Sequence, residues 1–301
     1  MTPEEFWKHL PTALVHPAAQ SVRLLFIGDV IGRPGRKLIK QELPKLRQTT
    51  AVDFVILNGE NLAGGFGITE KTYTEMMDAG VNVMTMGNHW NDKPDVHKVK
   101  ERDVRLVFPH NLPEVSDKSI PEFEIPGRNR SIMVFNLLGQ FAMKPSYGNP
   151  FEFLQSKRAE IDSRIASGHY ILVGDVHAEA SSEKQAVMWY LNGVAAAIVG
   201  THTHTPTSDE RVTQKGTAFL SDIGMTGAYN SLIGMNTEKT LKRYFPPLKK
   251  GPHEVADDNP WFSAFLVEID IATNLAVAAH RLQFREQCKR WSISSVTRDA
   301  L

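Results

Sequence analysis

The chain has 301 residues, 42% hydrophobic, 9% aromatic and 23% charged, which excludes disorder, collagen-like repeats and a disulfide-stapled miniature fold. Lys+Arg and Asp+Glu stand at 34 each, so no net charge is available to hold a polyanion, and stable nucleic-acid binding is not expected. The single cysteine, Cys288, excludes an internal disulfide; with no apolar run long enough for a membrane span and no secretory-type start in residues 1–20, the expectation is a soluble, cytoplasmic protein without membrane association.

From residue 22 to about 200, short apolar runs alternate with amphipathic stretches. The predicted strands are VRLLFIGD (22–29), DFVILNGE (53–60), VNVMTMGN (81–88), SIMVFNLLG (131–139), YILVGDVH (170–177) and VAAAIVGTH (194–202). Helices are predicted between them at 36–48, 69–80, 151–162 and 182–193, the second opened by Thr69 and closed by Gly80. This alternation implies a layered α/β fold with a largely parallel sheet. Beyond residue 210 the pattern changes to hairpins, one over 210–224 about Lys215-Gly216 and one over 261–284 about Thr273-Asn274. The C-terminal third therefore reads as antiparallel, and the whole as two sheets flanked by helices. One domain is expected over 22–284, between an N-terminal extension (1–21) and a C-terminal tail (285–301), with a long Pro/Lys-rich loop at 234–260.

Five of the six early strands end in groups able to ligate a metal. Asp29 ends the first, Glu60 and Asn61 the second, Asn88 and His89 the third; His177 ends the fifth, and His202 and His204 follow the sixth. Ligands of open α/β sheets sit beyond the carboxyl ends of the strands, so these residues should converge. A strand-terminal Asp or Asn also commonly caps the next helix, and a lone histidine is commonly structural; the shared position is what carries the metal reading. In Gly200-Thr201-His202-Thr203-His204, two histidines at i, i+2 of extended backbone would point the same way. Carboxylate, carboxamide and imidazole without thiolate suit iron, manganese, zinc or cobalt. Eight groups are too many for one ion; with Glu60 bridging they divide between two, the equipment for splitting phosphate esters. The glycines of GDVIGRPG (28–35) and NLAGGFG (61–67) would let backbone N–H groups approach an anion.

Asp29 in GDV, the Gly87-Asn88-His89 run and the GTHTH segment (200–204) follow the order of the calcineurin-like metallophosphoesterases. Two departures, Ile31 where most of that superfamily has histidine and Glu60 where most has aspartate, narrow the match. Together with NGENLAGGFGIT (58–69), DVHAEASSEK (175–184) and DIGMTGAYNSLIG (222–234), they resemble the YmdB-type bacterial phosphodiesterases over residues 22–284. The resemblance implies a four-layer α/β/β/α sandwich of two mixed sheets flanked by helices. It also implies two divalent or mixed-valence metal ions, iron or manganese ahead of zinc, and hydrolysis of 2′,3′-cyclic nucleotides through a metal-bridging hydroxide. Carried over by position, Asp29, Glu60, Asn61 and His204 hold the first ion; Glu60, Asn88, His177 and His202 hold the second; His89 donates the proton. Asn61 stands in for the ligand missing at Ile31. The expected partner is a small cyclic nucleotide. A dinuclear phosphomonoesterase, another phosphodiesterase, a regulatory protein using the metal site as scaffold, and a homo-oligomer all stay open at this stage.

Overall fold

The computed structural model describes residues 14, 17, 20–115, 119–144, 147–246, 251 and 253–298. Most of the predicted N-terminal extension lies outside them. Two mixed sheets pack face to face. In the first, β1 (Ser21–Ile27), β2 (Phe54–Asn58), β3 (Val83–Thr85) and β4 (Leu106–Val107) run parallel. The second contains β5 (Glu122–Glu124), β6 (Ser131–Leu138), β7 (Tyr170–His177), β8 (Ala197–Thr201), β9 (Arg211–Val212) and β10 (Ala218–Leu220), in the order β5-β6-β7-β8-β10-β9. The chain then returns to the first sheet with β11 (Gly227–Ala228), β12 (Pro260–Asp270), β13 (Leu275–Arg285) and β14 (Arg290–Thr297), so that its main order is β14-β13-β12-β1-β2-β3-β4.

Helices cover the outer faces. Alternate residues of each central strand explain why the strands read as unbroken apolar runs. Leu24 and Phe26 of β1 join a core between the sheets with Val173, Val199 and Phe265, whereas Leu25 and Ile27 face outward. That outward face packs on α1 (Gly32–Thr50), α2 (Glu70–Asp78) and α3 (Asp95–Arg102) through Leu38, Leu43, Met76 and Val99. On the other side, Phe135, Leu172 and Phe219 of the second sheet pack on α4 (Pro150–Ala166) and α5 (Ser181–Tyr190) through Leu154, Ile161 and Met188. The layers are α/β/β/α, as expected.

Both hairpins form, β9–β10 with Gly216 at φ 87° and β12–β13 with Asn274 at φ 57°. Among the elements that the sequence pattern does not anticipate are α3 and β14. Helix α3 has only Val96 and Val99 buried, one turn of apolar spacing, too little to stand out as a pattern. Residues 290–297, within the predicted tail, pair antiparallel with β13 as an edge strand, and Trp291 is buried against Phe262 and Phe284. The 234–260 loop carries a short helix, α6 (Thr237–Leu241), capped by Asn236. Among the described residues no helix is long and apolar enough to cross a membrane.

Two buried histidines make stability sensitive to acid. His280 is 2% exposed on β13, its Nδ1 2.7 Å from Ser295 Oγ, and His110 is 2% exposed before β6. Burial holds His280 at about 4, with the Arg23 guanidinium adding to the effect, and burial likewise holds His110 at about 4. Both therefore sit uncharged in the fold, while the unfolded chain takes up protons at the ordinary imidazole value near 6.5. Their contribution is complete above that pH and is lost as pH falls toward 4, by up to about 3 kcal/mol per group. Denaturant midpoints should drop between about pH 7.5 and pH 5, and His280→Gln should flatten the slope. An equal slope in the variant refutes the assignment.

Candidate metal centre

The parallel strands of both sheets deliver their C-terminal ends to one place. Asp29 follows β1, Glu60 and Asn61 follow β2, and Asn88 and His89 follow β3. His177 ends β7, and His202 and His204 follow β8. Each sheet supplies part of the cluster, so the shared edge of a single sheet implied by the sequence is in fact the meeting of two.

Two sets of donors assemble there: Asp29, Glu60 and His204; and Glu60, His177 and His202. Within each set one donor atom per residue lies within 4.8 Å of the others. Glu60 belongs to both. His177 Nε2 lies 3.1 Å from Glu60 Oε1, 2.9 Å from Asn88 Oδ1 and 3.1 Å from His202 Nδ1, which brings Asn88 into the second set. Asp29, Glu60, Asn61 and His177 are buried; Asn88, His89 and His202 are half-buried and form the open rim. A Cβ at Gly87 would strike Glu60 Oε2 and His177 Nε2, so only glycine lets the chain after β3 pass the cluster.

The donors fit divalent cations. Asp29 Oδ2 accepts the His202 N–H at 3.2 Å, but Asp29 Oδ1 and Asn61 Oδ1 are buried with no hydrogen bond among the described residues. Such atoms are costly to bury unless a partner, here a cation, completes them. Ring tautomers agree. His204 Nδ1 donates to the Ile233 carbonyl at 2.9 Å, leaving Nε2 free to ligate. Behind His177, Thr201 Oγ1 donates to Asp175 Oδ1 at 2.7 Å and so accepts from His177 Nδ1 at 2.9 Å, leaving Nε2 toward the cluster. Asp175 is further held by Thr85 Oγ1 at 2.6 Å and Asn58 Nδ2 at 3.0 Å.

Electrostatics describe the same centre. Burial acts against His177 carrying charge, yet the Glu60 and Asp29 carboxylates raise it. Burial likewise opposes the Glu60 charge, and His177 lowers it nonetheless. Asp29 is raised by burial, and His202 is lowered by burial and by the neighbouring His177 charge. Two buried carboxylates thus require a positive partner, a proton on His177 or a metal cation.

Two details correct the sequence reading. His202 and His204 lie at φ 99° and 62°, so the GTHTH segment leaves β8 as a strained turn rather than extended backbone. In GDVIGRPG, Cβ atoms at Gly28 and Gly35 would strike the carbonyls of Gly224 and Thr226; these glycines admit the 222–226 loop rather than an anion. Ile31 is buried, and a Cβ at Gly234 would strike its side chain. The structure also adds groups that the sequence reading passed over. Asp92 Oδ2 lies 2.7 Å from His89 Nδ1, and the buried Lys184–Asp222 pair (2.9 Å) braces the histidine turn, since Asp222 accepts from Thr203 N and Oγ1. Lys184 and Asp222 fell inside matched motifs, but a charge in a motif does not announce burial.

An α/β/β/α sandwich with carboxylate, carboxamide and imidazole donors at the strand ends defines a metallophosphoesterase-type protein. The chain belongs to the YmdB-like protein family, whose model matches residues 25–282. It is 40% identical over 262 residues to a 2′,3′-cyclic-nucleotide 2′-phosphodiesterase of Bacillus subtilis, covering 87% of this chain and 96% of that protein. A crystal structure described as a novel phosphatase from Mycoplasma pneumoniae superposes with a TM-score of 0.78 at 33% identity, covering 88% of this chain and 94% of that one. A hypothetical protein from Thermus thermophilus superposes at 0.77 with 34% identity, covering 88% and 100%.

Proposed function

We propose that this chain is a dinuclear-metal phosphodiesterase that opens 2′,3′-cyclic nucleotides. The observation that carries the reading is the pair of donor sets sharing Glu60, with His89 anchored beside them by its N–H to Glu60 Oε2 at 2.9 Å. The 40% identity to the Bacillus phosphodiesterase supports the substrate class. Asp29, Glu60, Asn61 and His204 would hold one ion, and Glu60, Asn88, His177 and His202 the other. Iron or manganese suits this donor set ahead of zinc. When bound, such ions neutralise charge on phosphoryl oxygens and activate water as the nucleophile.

The chain's own part is positioning and proton transfer. Asp92 accepts the His89 Nδ1 proton at 2.7 Å, which fixes the ring and directs Nε2 away from that carboxylate. Phe66 packs edge-on against the same ring, with centroids 4.9 Å apart, and limits its rotation. Protonated His89 then donates from Nε2 to the ribose oxygen that leaves phosphorus, a poor leaving group unless protonated.

Metal analysis of protein loaded under anaerobic conditions, followed by a panel of phosphoesters, tests the reading. About two ions per chain and a preference for 2′,3′-cyclic nucleotides over p-nitrophenyl phosphate are expected. One ion or none, or a preference for the monoester, overturns it.

A further inference from the structure

Beside the donor cluster lies a cavity of about 380 Å³, inside the size range of small-molecule sites. Asn61, His89 and His204 line it on the side of the donors, and Phe66, Ile233 and Tyr244 line it together with the polar Arg243 and His253. Phe66 is placed by an unusual turn. Gly64, Gly65 and Gly67 all take positive φ (70°, 94° and 67°), and a Cβ on Gly65 would lie 2.7 Å from Met235. The Gly65 N–H is consumed by the Asn61 carbonyl at 3.2 Å and the Gly67 carbonyl by Ala63 N–H at 2.9 Å, so the turn spends these groups on itself and displays a ring. That ring touches both His89 (4.9 Å) and His253 (5.2 Å) edge-on.

The 233–245 segment is equally unusual. Among the described residues eight large hydrophobic side chains are exposed, and four of them, Ile233, Leu241, Tyr244 and Phe245, fall between 233 and 245. Tyr244 is 70% exposed and lines the cavity, so the exposed apolar residues gather beside the donor cluster rather than scatter singly. Two aromatics lining one mainly apolar cavity that also reaches His89 and the donors Asn61 and His204 match a nucleoside: phosphate at the metals, ribose at His89, base against the rings.

We infer that Phe66 and Tyr244 form a nucleobase slot that binds by stacking rather than by reading the base edge. The inference rests on the phosphodiester chemistry proposed above for the adjacent donors. Stacking on a ring face is indifferent to the base edge, so purine and pyrimidine nucleotides are accepted within about tenfold of one another.

Steady-state kinetics on the metal-loaded protein test the slot, with 2′,3′-cyclic AMP, 2′,3′-cyclic UMP and the base-free glycerol 1,2-cyclic phosphate as substrates. The base-free phosphate should show a KM roughly 10–100-fold above the nucleotides in the wild type. Tyr244→Ala should raise the nucleotide KM toward that base-free value with kcat held, and the loss should be confined to substrates that carry a base. The His89 ring is held by Phe66 and Asp92 and makes no ring or hydrogen-bond contact with Tyr244 among the described residues, so Tyr244→Ala reads the slot without disturbing the proton donor. Equal losses on all three substrates, or a wild type indifferent to the base, overturn the slot. Equilibrium titration with adenosine 3′-monophosphate against ribose 3-phosphate separates the two readings. Absence of turnover on any cyclic phosphate defeats the phosphodiesterase proposal, while tighter binding of the adenosine compound that disappears in Tyr244→Ala sustains the slot, and equal binding of the two defeats it.

Discussion

Glu60→Ala should empty both metal positions at once and lower turnover of a 2′,3′-cyclic nucleotide by more than about 10³-fold. Glu60 is the one residue common to both donor sets, with His177 Nε2 3.1 Å from Oε1 and the His89 N–H 2.9 Å from Oε2. In the proposed arrangement its loss removes a ligand from each ion and the anchor of the His89 backbone together. Asn61→Ala should behave differently. In the proposed arrangement Asn61 shares one ion with Asp29 and His204, so a metal titration of that variant should lose one ion's affinity and leave the other nearly intact. Binding isotherms on loaded protein, with circular dichroism to check the fold, measure both effects. Near-normal turnover in Glu60→Ala, or equal loss of both ions in Asn61→Ala, contradicts the shared-carboxylate arrangement.

A second large effect is expected at His89, and its size should depend on the leaving group. General-acid catalysis contributes roughly 10²–10⁴-fold. His89→Ala should lose that factor on a 2′,3′-cyclic nucleotide, whose leaving oxygen is a ribose alkoxide. On bis(p-nitrophenyl) phosphate the leaving phenolate needs no proton, and the loss should be far smaller. Metal content should match the wild type, because the ring of His89 is turned to Asp92 and belongs to neither donor set. An equal loss on both substrates at full metal loading would reassign His89 to substrate positioning.

Strand ends carried the legible part of the site. Asp29, Glu60, Asn88, His177 and His202 each stand at or just after a run of apolar residues, and a buried strand has to expose its next polar residue at its end. Groups that act from within apolar or loop sequence were not legible. Phe66 reads as one aromatic in a flexible glycine run until the turn is seen to fold it against His89. Asp175 lies inside β7, where a carboxylate is ordinarily excluded, and only Thr85, Thr201 and Asn58 from three neighbouring elements make its burial tolerable. Those partners are 90, 26 and 117 positions away along the chain.

The chain's own order of residues determines the strand and helix types, the two hairpins, the absence of thiolate ligands and the donor chemistry at the strand ends, because each follows from local pattern and side-chain type. Tertiary structure alone decides which strand lies beside which. Register between β1 and β12, a contact such as Phe26 opposite Phe265, is settled by packing two sheets against one core, and no local signal encodes it. The same packing puts Asp29, Glu60 and Asn88 from one sheet against His177, His202 and His204 from the other. It also turns the backbone at His202 and His204 into left-handed φ so that two histidines two positions apart serve different donor sets. Strain of that kind is tolerable only where surrounding contacts over-determine it, and here Asp222 and Lys184, buried in the second sheet's edge and α5, supply those contacts.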